Sequence, residues 1–190
     1  MRTTSSTTAL PIAPGTWTAD VAHSGVLFQV RHLGLTNVRG RFDDFTATLT
    51  VGETLADVQV TADVALTSVD TSNADRDAHL RSTDFFGVEN NPRMTFVSTS
   101  IEGSGSDYEL TGDLTINGVT RSVTFEVEFH GTEVFPGDQK AHAGFDASTT
   151  IKRSDFGVSF GIVPGEKLML ADKVKVELEV QFVEPEPQAG

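Results

Sequence analysis

Between Lys173 and Phe182 the chain alternates without a fault: Val174, Val176, Leu178, Val180 and Phe182 against Lys173, Lys175, Glu177, Glu179 and Gln181. A period of two places one set on each face of an extended strand, so this segment reads as a half-buried antiparallel strand. Val58, Val60, Ala62, Val64 and Leu66 repeat the pattern against Asp57, Gln59, Thr61 and Asp63. Val123, Phe125, Val127 and Phe129 do the same against Thr124, Glu126, Glu128 and His130. Less regular runs at 16–19, 24–32, 39–51, 93–101, 108–116 and 141–152 bring the total to about eight to ten strands.

Strands with one apolar face each must stack as two sheets or close on themselves, and closure removes the exposed edges that invite aggregation. The expected fold is therefore all-β, an antiparallel barrel of roughly eight strands with one or two short helices. Asn117-Gly118 between two alternating runs is a hairpin signal, because a tight type I′ turn needs positive φ at both central residues. Hairpin loops are also expected at Gly103-Ser104-Gly105 and over 131–137. A helix of about two turns is expected after Ser72 and Asn73, which can cap it, with Asp75 and Asp77 in its first turn and Arg81 in its last. An eight-stranded barrel is just wide enough inside to be filled by side chains or to hold one small ligand.

A chain of 190 residues suits one domain, expected over 15–183, with disordered tails at 1–14 and at the Pro- and Glu-rich 184–190. The net charge of -13 argues against nucleic acid as a partner, and anionic membranes would be repelled by most of the exterior. With no Cys, neither a disulfide framework nor a thiolate nucleophile is available. The first residues show no apolar stretch of secretory type, and no run approaches the ~18 apolar residues of a transmembrane helix, so a cytoplasmic location is expected.

Several fragments, in order, resemble the YceI-like, polyisoprenoid-binding family: Asp20-Val-Ala-His23-Ser24, a strand ending in His32, and Gly40-Arg-Phe42. Ser68-Val-Asp-Thr71, Arg76-Asp77-Ala-His79-Leu80 through Phe85-Phe86, Pro92, Phe96, Gly112-Asp-Leu114 through Gly118-Val119-Thr, and Arg153-Ser-Asp155-Phe156-Gly157 continue the likeness. The resemblance implies a lipocalin-like barrel whose elongated apolar cavity takes up isoprenoid chains or similar amphiphilic lipids, often as a homodimer. It implies a lipid guest and no required cofactor.

Thirteen Phe against one Trp and one Tyr give aromatic surface without a polar handle, which suits a hydrocarbon tunnel as well as a dry core. Strand parity nominates Val26, Phe28 and Val30, then Phe42 and Phe45, then Val60, Val64 and Leu66 as cavity lining. Phe96, Phe125, Val127, Phe145, Ile151, Val176 and Leu178 continue around the barrel. Phe85, Phe86, Phe156 and Phe160 fall outside strands and are expected as lids. His32 shares parity with Val30 and is a candidate for a ligand head group. Arg76, Asp77 and His79 form a second polar cluster, able to meet a head group or to clamp the helix to the rim.

The five His show none of the close spacing of zinc sites, so no metal is expected, and no Gly-x-Ser-x-Gly elbow or P-loop is present. Lipid carriage without covalent chemistry is the leading expectation. The alternatives are an isoprenoid-modifying enzyme using His32 or the Arg76/Asp77/His79 group, and a solid-core interaction domain.

Overall fold

The computed structural model describes residues 9–187. Its strands are β1 (Gly15–Ala19), β2 (Gly25–His32), β3 (Thr36–Phe42), β4 (Phe45–Val51), β5 (Gln59–Ala65), β6 (Val69–Asp70), β7 (Arg93–Ser104), β8 (Asp107–Ile116), β9 (Val119–Phe135), β10 (Lys140–Lys152) and β11 (Leu170–Val183). One α-helix, α1 (Ala74–Arg81), follows β6.

Register reduces the eleven strands to eight staves. A turn at Val21–His23 breaks the first stave into β1 and β2, and Asp43-Asp44 breaks the second into β3 and β4. The third is β5 and β6, interrupted at Leu66–Ser68. Its two halves pair with the two halves of the second stave, Phe45 opposite Val64 and Phe42 opposite Val69. Each later stave pairs antiparallel with the next, and β11 returns to the first, Leu178 opposite Val26 and Phe182 opposite Ala19. The result is a closed, eight-stranded antiparallel barrel.

Local chemistry accounts for the pieces. Asn117 and Gly118 take φ of 54° and 71°, the left-handed pair that the β8–β9 turn needs. The side chain of Asn73 caps α1 by accepting from the Arg76 N–H at 2.9 Å. β9 runs through the expected 131–137 loop as far as Phe135, with Gly131 at a positive φ of 107° beside a slip in the β9–β10 register. The extra residue of such a bulge lets pairing continue where glycine would otherwise end a strand.

One end of the barrel, the base, carries the β4–β5, β7–β8 and β9–β10 connections. It is plugged by Leu10, Trp17, Leu49, Tyr108 and Phe182. Each polar handle in the plug is met: Trp17 Nε1 donates to the Ala13 carbonyl at 2.9 Å and Tyr108 OH to that of Gly105 at 3.0 Å. Leu10, within the 1–14 stretch expected as a tail, packs in this plug and is 5% exposed. Glu184 is held too, accepting the Ala141 N–H at its carboxylate and donating its own N–H to the Ala141 carbonyl. Residues 1–8 and 188–190 of the two expected tails lie outside the described residues. No helix among the described residues is long and apolar enough to cross a membrane.

Candidate functional site

The other end, the mouth, is where β2 turns into β3 and β8 into β9. Three segments lie across it: α1, the 82–92 connection, and the 153–169 connection with its turn at Arg153–Phe156. Asn117 ties two of them together. Its Oδ1 accepts from Asn91 Nδ2 at 3.2 Å, and its Nδ2 donates to the Phe156 carbonyl at 3.3 Å.

Between base plug and mouth lies a cavity of about 240 Å³. Its wall reaches from Leu10, Leu49 and Phe182 to Leu80, Phe85 and Phe156, so it runs the length of the barrel. Among the described residues, the only polar ones in the wall are Thr95 and Arg153. An apolar cavity of this kind does not hold water well, since a buried water needs two to four polar partners.

Of the residues nominated from parity, Val26, Phe28, Val30, Phe42, Phe45, Val60 and Val64 stand in this wall. So do Phe96, Phe125, Val127, Phe145, Ile151, Val176 and Leu178, together with Phe85, Phe86 and Phe156 from the mouth segments. Two do not. Leu66 falls on the break in the third stave and is fully buried in a cluster with Val69 and Phe42. Phe160 is 47% exposed on top of the mouth, against Phe85 and the His79 ring, centroids 5.3 and 5.0 Å away.

The nominated head-group residues lie at the rim and not in the wall. His32 is half-buried at the end of β2, opposite Thr36 and Leu170. Arg76 and Asp77 converge on Thr71 without pairing to each other. Asp77 Oδ1 accepts from Thr71 N at 2.9 Å and Oγ1 at 2.5 Å, while Arg76 donates to Thr71 Oγ1 and its carbonyl, both at 2.7 Å. This is the rim clamp. Replacing Asp77 with Ala strands the buried Thr71 N–H and is expected to cost about 1–3 kcal/mol in urea denaturation, with guest uptake unchanged. His79 Nε2 meets Asp84 Oδ2 at 2.8 Å.

Arg153 is the polar residue that matters most to the shape of the mouth. It is 5% exposed, and its guanidinium donates to four carbonyls: Ala171 and Leu170 at 3.0 Å, Val158 at 3.0 Å and Phe160 at 2.8 Å. Burial pulls its pKa below the usual arginine value, opposed by the Asp172 carboxylate. Asp172 is itself held by the N–H and Oγ of Ser154, at 2.9 and 2.7 Å. One side chain therefore folds the 157–170 segment over the barrel end.

Sequence parity also carried a signal for wall residues left unnominated: Met94 shares the face of Phe96, and Val174, Val180 and Phe182 that of Val176. Leu10 and Val158 lie outside any alternating run and offered none.

The model of the YceI-like domain matches residues 17–182. A UPF0312 protein of Staphylococcus epidermidis is 39% identical over 86% of this chain and 94% of its own length. Protein YceI of an Escherichia coli strain is 42% identical over 76% of each chain. Among solved structures, a Campylobacter jejuni YceI protein superposes with a TM-score of 0.72 at 32% identity, covering 82% of this chain and 90% of that one. A polyisoprenoid-binding domain from Saccharophagus degradans shares the fold at a TM-score of 0.65 and 15% identity, over 89% and 98%. Barrel, mouth and sequence agree: this chain belongs to the YceI-like domain family.

Proposed function

We propose that the barrel binds the hydrocarbon tail of a long-chain amphiphilic lipid, an isoprenoid or prenyl quinone being the best fit, and stores or carries it without covalent change. The observation that carries this reading is the cavity wall, apolar from base to mouth. The name of the Saccharophagus neighbour, a polyisoprenoid-binding domain, supports the same chemistry.

A dry cavity of about 150 Å³ accepts benzene, so 240 Å³ has room for roughly two five-carbon units. At about 0.8 kcal/mol per carbon these contribute up to about 8 kcal/mol gross, and association takes back several. Micromolar binding, about 8 kcal/mol net, therefore needs more carbon buried than the cavity holds as it stands. The additional units extend through the mouth, past Phe85 and Phe86 of the 82–92 connection. The head group then lies outside, near the rim residues His79 and His32. Against an enzymatic role stands the wall itself, which brings no carboxylate, imidazole or hydroxyl other than Thr95 to the guest.

Native mass spectrometry of the purified protein should show an excess mass that organic extraction releases as a long-chain lipid. A barrel that is empty as purified and that takes up neither prenyl quinone nor long-chain fatty amide refutes the proposal.

A further inference from the structure

Exposed apolar side chains stand on two adjoining loops of the mouth. Leu33 and Leu35 stand on the β2–β3 turn, and Phe160, Val163 and Met169 on the 157–169 loop; Leu35 and Met169 are 74% and 63% exposed. The Leu33 N–H donates to the Met169 carbonyl at 2.7 Å, which joins the two loops. Arg153 binds the carbonyls of Phe160 and Leu170, which gathers the rest.

Charge is divided along the same axis. Among the described residues every Lys and Arg except Lys140 lies on the mouth half of a stave or in the segments that cover the mouth. Arg31, Arg39, Arg121, Lys152, Lys167 and Lys173 are exposed there and form no ion pair with a described residue; the exposed carboxylates Asp75, Asp84, Glu89, Asp113, Asp155 and Glu166 bring that half near neutrality. The base half is acidic, with Glu53, Asp57, Glu102, Asp107, Glu128 and Glu133, and Lys140, its one Lys or Arg among the described residues, is paired with Glu186. The net charge of -13 is thus concentrated at the end away from the cavity's opening.

We infer that the mouth docks on an anionic lipid bilayer, with Leu35 and Met169 entering the interface and the exposed cations meeting headgroup phosphates. Apolar side chains among Lys and Arg, at the end of the barrel that is not strongly acidic, suit the headgroup boundary of such a surface. The acidic base does not oppose this: β10 is 13 residues long and at about 3.3 Å per residue spans roughly 40 Å, several Debye lengths of about 10 Å at 0.1 M salt. A barrel docked this way sets its opening against the hydrocarbon, so a tail can pass between bilayer and cavity without crossing water. That purpose rests on the proposed lipid guest, while the docking itself rests on the exposed apolar side chains and the charge.

Flotation with phosphatidylcholine vesicles, with and without phosphatidylglycerol, tests it. The protein should float with the anionic vesicles and be released as salt rises. Lys167→Glu with Lys173→Glu, and separately Leu35→Asp with Met169→Asp, should each weaken flotation about tenfold or more, while Lys140→Glu at the base leaves it within about twofold. The four mouth positions are exposed and Lys140 is half-buried, and thermal melting confirms that each variant folds. Equal flotation with neutral and anionic vesicles, no flotation with either, or equal loss from base and mouth variants overturns the inference. A barrel that carries no lipid yet floats with anionic vesicles removes the guest and leaves the docking; a lipid-loaded barrel that never floats does the reverse.

Discussion

Replacing Ala62 and Ala147 together with Phe is expected to abolish lipid uptake while the barrel stays folded. The two alanines stand in the cavity wall on β5 and β10, four staves apart in a ring of eight and therefore on opposite sides. Two phenyl rings directed into a 240 Å³ space leave no room for a guest. Stability should change little. Filling a void restores contacts that its lining lacks, commonly worth about 0.5–2 kcal/mol, and crowding costs about 1–3 kcal/mol in the other direction. Binding and folding are thereby separated. The measurement is lipid recovered by extraction from equal amounts of wild type and variant, with thermal melts alongside. Each single substitution should weaken uptake at least about tenfold, equivalent to losing the burial of about two carbons. A double variant carrying as much lipid as the wild type would place the guest somewhere else.

Arg153→Met should lower stability by about 3–5 kcal/mol, because up to four buried carbonyls lose their donor at once and only part of that loss is recovered from water. For a chain of this size each kcal/mol shifts Tm by roughly 2–4 °C, so a fall of about 10 °C is expected. Arg153→Lys should not restore it, since one ammonium cannot reach four carbonyls arrayed around a planar fork. The loss should also be local before it is global. Hydrogen exchange over 157–170 should quicken in Arg153→Met under conditions where the β8–β9 hairpin stays protected. Unchanged exchange in that segment would show that something other than Arg153 holds it down.

Much of this was legible in the sequence because period-two alternation reports directly on which face of a strand is buried. Val176 and Leu178, Phe125 and Val127, Phe28 and Val30 all line the cavity on parity alone. The same rule failed at Leu66, where the third stave breaks and parity no longer carries across. It also missed the long β9, since Gly131 and Gly137 resemble a loop when the bulge that accommodates Gly131 cannot be foreseen. Leu10 was invisible for a different reason: in Ala9-Leu-Pro-Ile-Ala-Pro14 the prolines interrupt any alternation, so no period marks it. Arg76 and Asp77 were recognisable as a polar pair, yet their meeting point, Thr71, lies in neither helix nor alternating run.

Net charge shows most plainly what a one-dimensional reading loses. A total of -13 suggests repulsion from any anionic surface, and for most of the exterior it holds. Along the chain Lys173 and Lys175 lie within a few residues of Glu177 and Glu179, which looks like mixing. Only strand direction, up in one stave and down in the next, sorts the cations to one end.

The seam of the barrel joins the first stave to the last: Ser24 Oγ accepts the N–H of Gln181, 157 residues away. Synthesis from the N-terminus leaves that edge bare until nearly the whole chain has emerged. Hairpins between neighbouring staves can form early, but the seam closes the longest loops in the barrel and so carries the largest loop-closure cost. Until β11 arrives, the nascent sheet keeps its oily face open to any chaperone, and removing the final stave should yield a species that aggregates instead of a smaller barrel.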